Sequence, residues 1–347
     1  TEEPGKVQLT AQIVKSAEIK APKKEGGGGS SDKAYWNIKS TGDTVFSAVR
    51  GFTHESSRKL FFPHNQVLIF SRDVAEEGVQ KYIDFFVRDH ETRNTVWVLV
   101  AKDKAGEILD VKSELEKIPA KNIANLVEAQ AASSQSSVAI LEQFLTRLMS
   151  KTTAPIAPII EVSDEGEKKT VLISGTAVFK KDKLAGQLDK TETRGLLWVI
   201  GEVKSGIIVV DCPGGDGKAS LEIIRAGSKI TPEIKDNRIH IKVKIKEEGN
   251  LGDQSYPENL ALPPAIASLK KEKAVIMQSE IMAALKKARE LDTDIFGFGE
   301  AIHQKFPNLW KDLESRWDEV FPYIEVEVIT ETKLRLTGKI NRPAVPK

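Results

Sequence analysis

Apolar and polar residues change rhythm along this chain, and each change marks an element. Val7, Leu9, Ala11 and Ile13 alternate with Gln8, Thr10 and Gln12, the period of a half-buried strand. Tyr35–Ile38 reads as a short second strand, and Thr44–Phe52 as a helix with Val45, Ala48 and Val49 on one face. Between them, APKKEGGGGSSDK offers little to pack. It reads as a flexible loop, and its four consecutive glycines also fit an artificial linker. Further on, Gln66–Phe70 is a buried strand, and Asp73 is the expected N-cap of a helix carrying Val79, Ile83 and Phe86. Thr95–Ala101 is a second β-branched strand. This spacing predicts a right-handed βαβ crossover with a parallel pair. Helical stretches near Glu107–Lys117 and Lys121–Ala131 follow, then an amphipathic helix with Val138, Leu141, Leu145 and Leu148.

TTAPIAPIIEVSDEGEKK reads as a linker by its prolines and charges, and Val171–Phe179 with Lys183–Leu188 as a hairpin turning at Lys180–Lys183. Gly195–Gly201 is an apolar run of strand length. IIVVDCP and ASLEIIRAGSKI form strands around a Gly-rich turn, and Ile239–Ile245 alternates strictly, with His240, Lys242 and Lys244 outward. Ala265–Leu291 carries a long helix with Ile281, Leu285 and Ala288 on one stripe. Pro307 suits the first helical position, and Trp310, Leu313, Trp317 and Val320 follow one face. Ile324 to Leu336 share one parity, a strand of about thirteen residues, roughly 40 Å long. The expected class is α+β, with three domains of mixed α/β character and long helices against a twisted sheet in a strand-rich C-terminal domain. The 171–188 hairpin is expected to return to the N-terminal strand. That makes 1–52 plus 151–204 a discontinuous β-rich domain, 53–150 an α/β domain and 205–347 an α+β domain.

Composition narrows the chemistry. The chain has 347 residues, 40% of them hydrophobic and 29% charged, which suits a globular protein of two or three domains. A net charge of +1 gives no general reason to expect nucleic acid or an anionic membrane as partner. One cysteine excludes an internal disulfide and any CxxC metal knuckle. No run approaches the roughly 18 apolar residues of a spanning helix. TEEPGKVQLTAQIV has no basic or apolar leader pattern, so the expectation is a trimmed mature form.

Motifs fail one after another. PGGDGKAS (Pro213–Ser220) has Ala219 where a phosphate loop needs Ser or Thr, and a strand pattern follows it, so a hairpin turn is expected. GFGEA (Gly297–Ala301) is not GxGxxG and follows a helix. His54, His64, His90, His240 and His303 never fall at i, i+4, and His54–Glu55 has Arg58 where HExxH needs its second ligand. Cys212, beside Pro213, reads as a buried inert thiol. Lys23–Lys24, Lys168–Lys169, Lys180–Lys183 and Lys270–Lys273 adjoin acids and read as solvated faces. Lys242, Lys244 and Lys246 share one strand face; a solvated sheet is the default, and anionic headgroups are the alternative. Phe296, Phe298, Phe306, Trp310, Trp317 and Phe321 read as core, with a partner-anchoring patch as the alternative. No catalytic residue, cofactor site or metal site is expected.

One resemblance covers nearly the whole chain. DIFGFGEAIHQKFPNLWKDLESRWDEVFPYIEVEV (Asp294–Val328) and LRLTG (Leu334–Gly338) closely resemble the C subunits of spore nutrient germinant receptors, the GerAC type. So do RKLFFPHNQVLIFSRDVAEEGV (Arg58–Val79), DFFVRDHETR (Asp84–Arg93) and GTAVFKKDKLAGQLDKTETRGLLWVIGE (Gly175–Glu202). A Gly-rich segment after the first strand is also typical of that family. The resemblance implies a three-domain lipoprotein whose signal peptide and lipidated Cys, along with a strand usually preceding Val7, are missing from this sequence. It implies membrane-embedded germinant receptor subunits as partners, a peripheral place on the spore inner membrane, and a requirement in nutrient-triggered germination. It supplies no catalytic residues. The expected function is therefore a non-enzymatic, lipid-anchored scaffold. The alternative is a ligand-binding module that senses the germinant itself, because crevices at strand C-termini commonly hold ligands. No nucleic acid is expected, and the chain is expected to be monomeric.

Overall fold

The computed structural model describes residues 5–15, 18, 33–57, 59–164, 168–215, 217–236, 238–255 and 257–335. The Gly-rich segment at 26–29 lies outside them. Three sheets organise the described residues. The first is a two-stranded antiparallel pair, β1 (Val7–Val14) and β2 (Tyr35–Gly42), carrying helix α1 (Val45–Gly51). Thr44 caps α1 by accepting from the Ser47 N–H. Gln12 and Asn37 tie this unit to the next by donating to the Leu109 carbonyl.

The second sheet has five strands in the order β3–β4–β5–β6–β7. The βαβ unit forms as its spacing predicts: β3 (Val67–Phe70) and β4 (Trp97–Ala101) pair in parallel, Val67 opposite Trp97. The crossover holds two helices, α2 (Arg72–Glu77) and α3 (Gln80–Arg88), separated at Gly78 with φ +128°. Ser71, not Asp73, occupies the N-cap position of α2. Val98 and Val100 face α2, α3 and α6 (Leu141–Leu148), while Leu99 and Ala101 face α4 (Ala105–Asp110) and α5 (Pro119–Ala129). The sheet is thus covered on both sides, and its strands read as nearly continuous apolar runs.

Two expectations fail here. The 152–169 stretch read as a linker contains β5 (Ile156–Ser163), a central strand parallel to β4 and antiparallel to β6. Pro158 lies where the β5–β6 register shifts, which is where a strand tolerates a missing N–H. The hairpin of β6 (Thr170–Lys180) and β7 (Lys183–Leu188) pairs with β5, not with the N-terminal strand. Residues 175–179 are buried without alternation, so β6 needs cover on both faces, and the doubly covered sheet supplies it.

The apolar run after β7 is helix α7 (Lys190–Ile200), not a strand. Asp189 accepts from the Glu192 N–H while the Glu192 carboxylate accepts from the Asp189 N–H, a closed capping box. Every residue from Thr193 to Val199 is buried.

The third sheet runs β11–β10–β9–β8, with β8 (Gly206–Asp211), β9 (Lys218–Lys235), β10 (Arg238–Gln254) and β11 (Glu325–Leu334). Ile241, Val243 and Ile245 point inward against α8 (Pro263–Glu290), whose 28 residues span about 42 Å. After α8 come α9 (Phe298–Lys305), α10 (Pro307–Leu313) and α11 (Trp317–Val320). One apolar core holds Ile156, Val178 and Leu188 of the second sheet together with α7, α8 and the third sheet.

Buried charges cross-link this shared core. Arg194 of α7 donates to both Glu280 carboxylate oxygens and, through Nη1, to the Ile207 carbonyl at 3.1 Å. Trp198 Nε1 donates to the same carboxylate at 2.9 Å. Beside this pair a Cβ on Gly195 would stand 2.0 Å from the Glu280 carbonyl oxygen, so α7 and α8 cross at a contact only glycine permits. Lys273 Nζ donates to Glu247 Oε1 at 2.6 Å, both side chains fully enclosed. Burial lowers Lys273 and raises Glu247 from their ordinary values, each opposed by its partner. Arg147 of α6 donates to the Ala154 and Ile295 carbonyls, both at 3.0 Å. Close by, the Asp294 carboxylate accepts from the N–H groups of Phe296, Gly297 and Gly299. Burial pushes Asp294 up to about 6 although those N–H groups favour its charged form.

Gly195→Ala is expected to destabilise the protein by about 2–4 kcal/mol, because backbone must move to admit the methyl. Glu280→Ala, which strands a buried guanidinium, is expected to cost about 3–5 kcal/mol. Urea unfolding measures both, with Val209→Ala on an exposed strand face as a control expected within about 0.5 kcal/mol. Asp294 binds its proton more tightly folded than unfolded. Its contribution is therefore whole below the ordinary carboxylate value and is lost as pH rises to about 6. The stability of the wild type relative to Asp294→Asn should fall by about 2 kcal/mol between pH 4 and pH 7. A difference that stays flat across that range would contradict the assignment.

Candidate functional site

The motifs that fail in the sequence have plain structural roles. The Gly-rich turn closes the β8–β9 hairpin, in which Asp211 pairs with Lys218. GFGEA does open a helix, α9, but the Asp294 carboxylate already occupies the N–H groups there. Cys212 is buried, and burial raises its thiol above the ordinary value, the opposite of what a nucleophile needs. Among the described residues no group of three or more His, Cys, Asp or Glu side chains converges as a metal site would require. Phe296, Phe298, Trp310, Trp317 and Phe321 are buried core, as the first reading has it, and Phe306 is half-buried.

Two surface regions remain. The first is a groove of about 900 Å³ where the parallel strands β4 and β5 end. Such an edge is the usual ligand crevice of an α/β sheet. Most of its lysines, however, already face carboxylates: Lys102 pairs with Glu161, Lys168 with Glu114 at 2.9 Å and Lys169 with Asp164 at 3.5 Å. Burial raises Glu161, but the hydrogen bonds and charge of Lys102, with help from Ser174 and Lys190, bring it below the usual carboxylate range. The Lys168 hydrogen bond lowers Glu114 likewise.

The second region lies where α1 meets α3. Phe46 points away from the buried Val45 and Ala48, is 51% exposed, and stacks on Phe85 with 5.5 Å between ring centres. Phe62 packs edge-on against Phe85 and Phe86. Its neighbour Phe61 is 60% exposed and meets His64 edge-on. The Arg50 guanidinium lies 5.1 Å over the Phe46 ring. Arg50 also lines an adjoining groove of about 800 Å³ with Lys6, Lys39 and His54, facing Asp43 and Glu55. Among the described residues, Lys39, Arg50 and Lys59 have no carboxylate within ion-pair distance.

Two of the three lysines first considered for headgroup contact fare differently. Lys242 and Lys244 project from β10 toward Glu327 and Glu331 of β11, and the Lys244 pair closes to 2.6 Å. Sequence reading passed over the Phe46 face. Its signal was an aromatic one position off the buried stripe of α1, followed by a basic, aromatic stretch from Lys59 to His64.

Comparison with known proteins gives a consistent answer. The family model described as "Spore germination protein N-terminal domain" matches residues 1–162, and "Spore germination B3/ GerAC like, C-terminal" matches residues 174–338. Spore germination protein KC of Bacillus subtilis (strain 168) is 29% identical over 336 residues, covering 91% of this chain and 83% of that protein. Spore germination protein YndF of the same organism is 28% identical, covering 96% of this chain and 83% of that protein. The crystal structure of the GerBC protein superposes with a TM-score of 0.63 at 18% identity, over 94% of this chain and 93% of that one, and so shares the fold. With two family models following each other in order along almost the entire length, the chain belongs to the GerAC-like family of spore germination proteins.

Proposed function

We propose that this chain is the non-enzymatic C-type subunit of a germinant receptor, a lipid-anchored scaffold that docks on membrane-embedded subunits at the spore inner membrane. The order and coverage of the two family matches carry this reading. The interior supports it. Arg194, Glu280, Lys273, Glu247 and Arg147 are each engaged in joining one element to another, and Asp294 is engaged by the N–H groups at the start of α9. No helix of the described residues is long and apolar enough to cross a membrane, so in this reading attachment depends on lipid and partners. A three-domain organisation stays part of the proposal, without the return of the 171–188 hairpin to the N-terminal strand.

The groove beyond β4 and β5 favours a second reading, in which the chain itself senses a small nutrient. Its mutually paired charges weigh against a ligand, which would have to break those pairs to bind.

Deleting the gene is expected to abolish the response to the cognate nutrient while leaving germination by calcium dipicolinate intact, read as loss of optical density of a spore suspension. An undiminished nutrient response counts against a receptor role. Titration calorimetry of the purified chain with amino acids and sugars separates the two readings. The scaffold predicts no heat at millimolar ligand, and a saturable heat abolished by Lys102→Ala would favour sensing at the groove.

A further inference from the structure

The unit made of β1, β2 and α1 is held to the rest of the molecule by other means than those that join the second and third sheets. We propose that it opens as one cooperative unit, releasing from α4, α5 and the second sheet and losing its ladder, while the second and third sheets stay folded around α7. The unit leads into β3 once, through residues 55–66.

The unit has a small interior of its own. Ala34, Tyr35, Ile38, Ala48 and Phe52 are buried, yet none of them belongs to the three large apolar clusters of the described residues. Of this unit Val45 alone is buried within the cluster of the second sheet, with Val7, Leu9 and Val49 partly buried against it. Gln12 and Asn37, partners in the β1–β2 register, lie on the other face of the pair from Val7 and Leu9 and form a polar knot. Gln12 Nε2 and Asn37 Nδ2 donate to the Leu109 carbonyl at 3.1 and 2.9 Å, and Asn37 Nδ2 also donates to Asp110 Oδ1 at 2.8 Å. The Ala120 N–H donates to Gln12 Oε1 at 2.8 Å. These bonds are partly open to water, which replaces them when they break, so their net hold on the unit is modest. Two strands without a third are marginal by themselves, so release from both neighbours entails loss of the β1–β2 ladder. Between the second and third sheets the balance is the reverse. One sealed core runs through both, and any opening there exposes apolar surface together with the enclosed Arg194–Glu280 and Lys273–Glu247 pairs.

This inference stands apart from the receptor assignment, because it concerns the purified chain by itself. Hydrogen exchange of the whole chain, read by mass spectrometry of its peptides and corrected for intrinsic amide rates, tests it. Peptides of β1, β2 and α1 should share one exchange rate, about a hundredfold or more above that of α7 and β10. Gln12→Ala with Asn37→Ala should raise that shared rate about tenfold or more and leave α7 and β10 unchanged. A tether provides the converse. A Cβ on Gly106 of α4 would stand 3.3 Å from Thr10 Oγ1, which places Thr10→Cys and Gly106→Cys side by side. Oxidation of that variant should slow exchange across β1, β2 and α1 together by about tenfold or more, and a reducing agent should restore it. Equal rates in the first unit and α7 would overturn the proposal, since the unit would then open only when the whole chain unfolds. So would rates graded inward from the strand ends, or a tether that protects only the residues beside it, since either is fraying and not release of a body.

Discussion

Helix α7 is enclosed from Thr193 to Val199, and the arrangement of the second and third sheets depends on that enclosure. A helix without a solvent face must satisfy each neighbour it touches, here β6, β9, β10 and α8. Gly195 sets how near α8 comes, and Arg194 then requires a carboxylate where Glu280 sits. The pair is not a source of net stability by default, since taking two charges out of water offsets much of their attraction. Its value is geometric. The guanidinium engages Glu280 and the Ile207 carbonyl together, so a slipped α7 leaves a buried charge unmet. A single core running from Ile156 and Val178 to Ile281 and Leu285 is the packing counterpart of that specificity.

Much of this was legible in the residues. Strict alternation assigned Ile241, Val243 and Ile245 to the inside of β10, and helical spacing did the same for Ile281, Leu285 and Ala288 of α8. Lys273 is a correction: read with Lys270–Lys273 as a solvated face, it is fully buried against Glu247, and the same two periods point both residues inward. Long-range pairing has no local signature. Nothing near Thr170–Leu188 says that β5 rather than β1 will be the neighbour, and two prolines disguised β5 as a linker. GLLWVI satisfies strand and helix alike, as short apolar runs do. What decided the matter was the D-K-T-E of the capping box just ahead of it.

Surface chemistry was harder to read, because the meaning of a charge depends on what stands opposite. Lys242 and Lys244 left an anionic partner open as an alternative to a solvated face, yet β11, some eighty residues later in the chain, places Glu327 and Glu331 beside them. The cations of the groove beside Phe46 attracted no notice because they are dispersed over Lys6, Lys39 and Arg50. Only the fold of β1, β2 and α1 gathers them around one groove. A run of like charge in sequence and a patch of like charge in space are different objects, and recognition acts on the second.

The manner in which the first unit is attached bears on how such a scaffold works. The second and third sheets share one close-packed interior, and interiors of that density transmit displacement with little compression. The β1–β2 pair is held otherwise. Val45 enters the core of the second sheet, with Val7, Leu9 and Val49 partly buried against it, and Gln12 and Asn37 hydrogen-bond the Leu109 carbonyl at the surface. Polar, part-exposed bonds open at lower free energy than a sealed core. A displacement applied where α1 meets α3 therefore meets the softest junction first and the stiffest afterwards. That order would let the first unit adjust to its surroundings while the body carrying α7 keeps its shape.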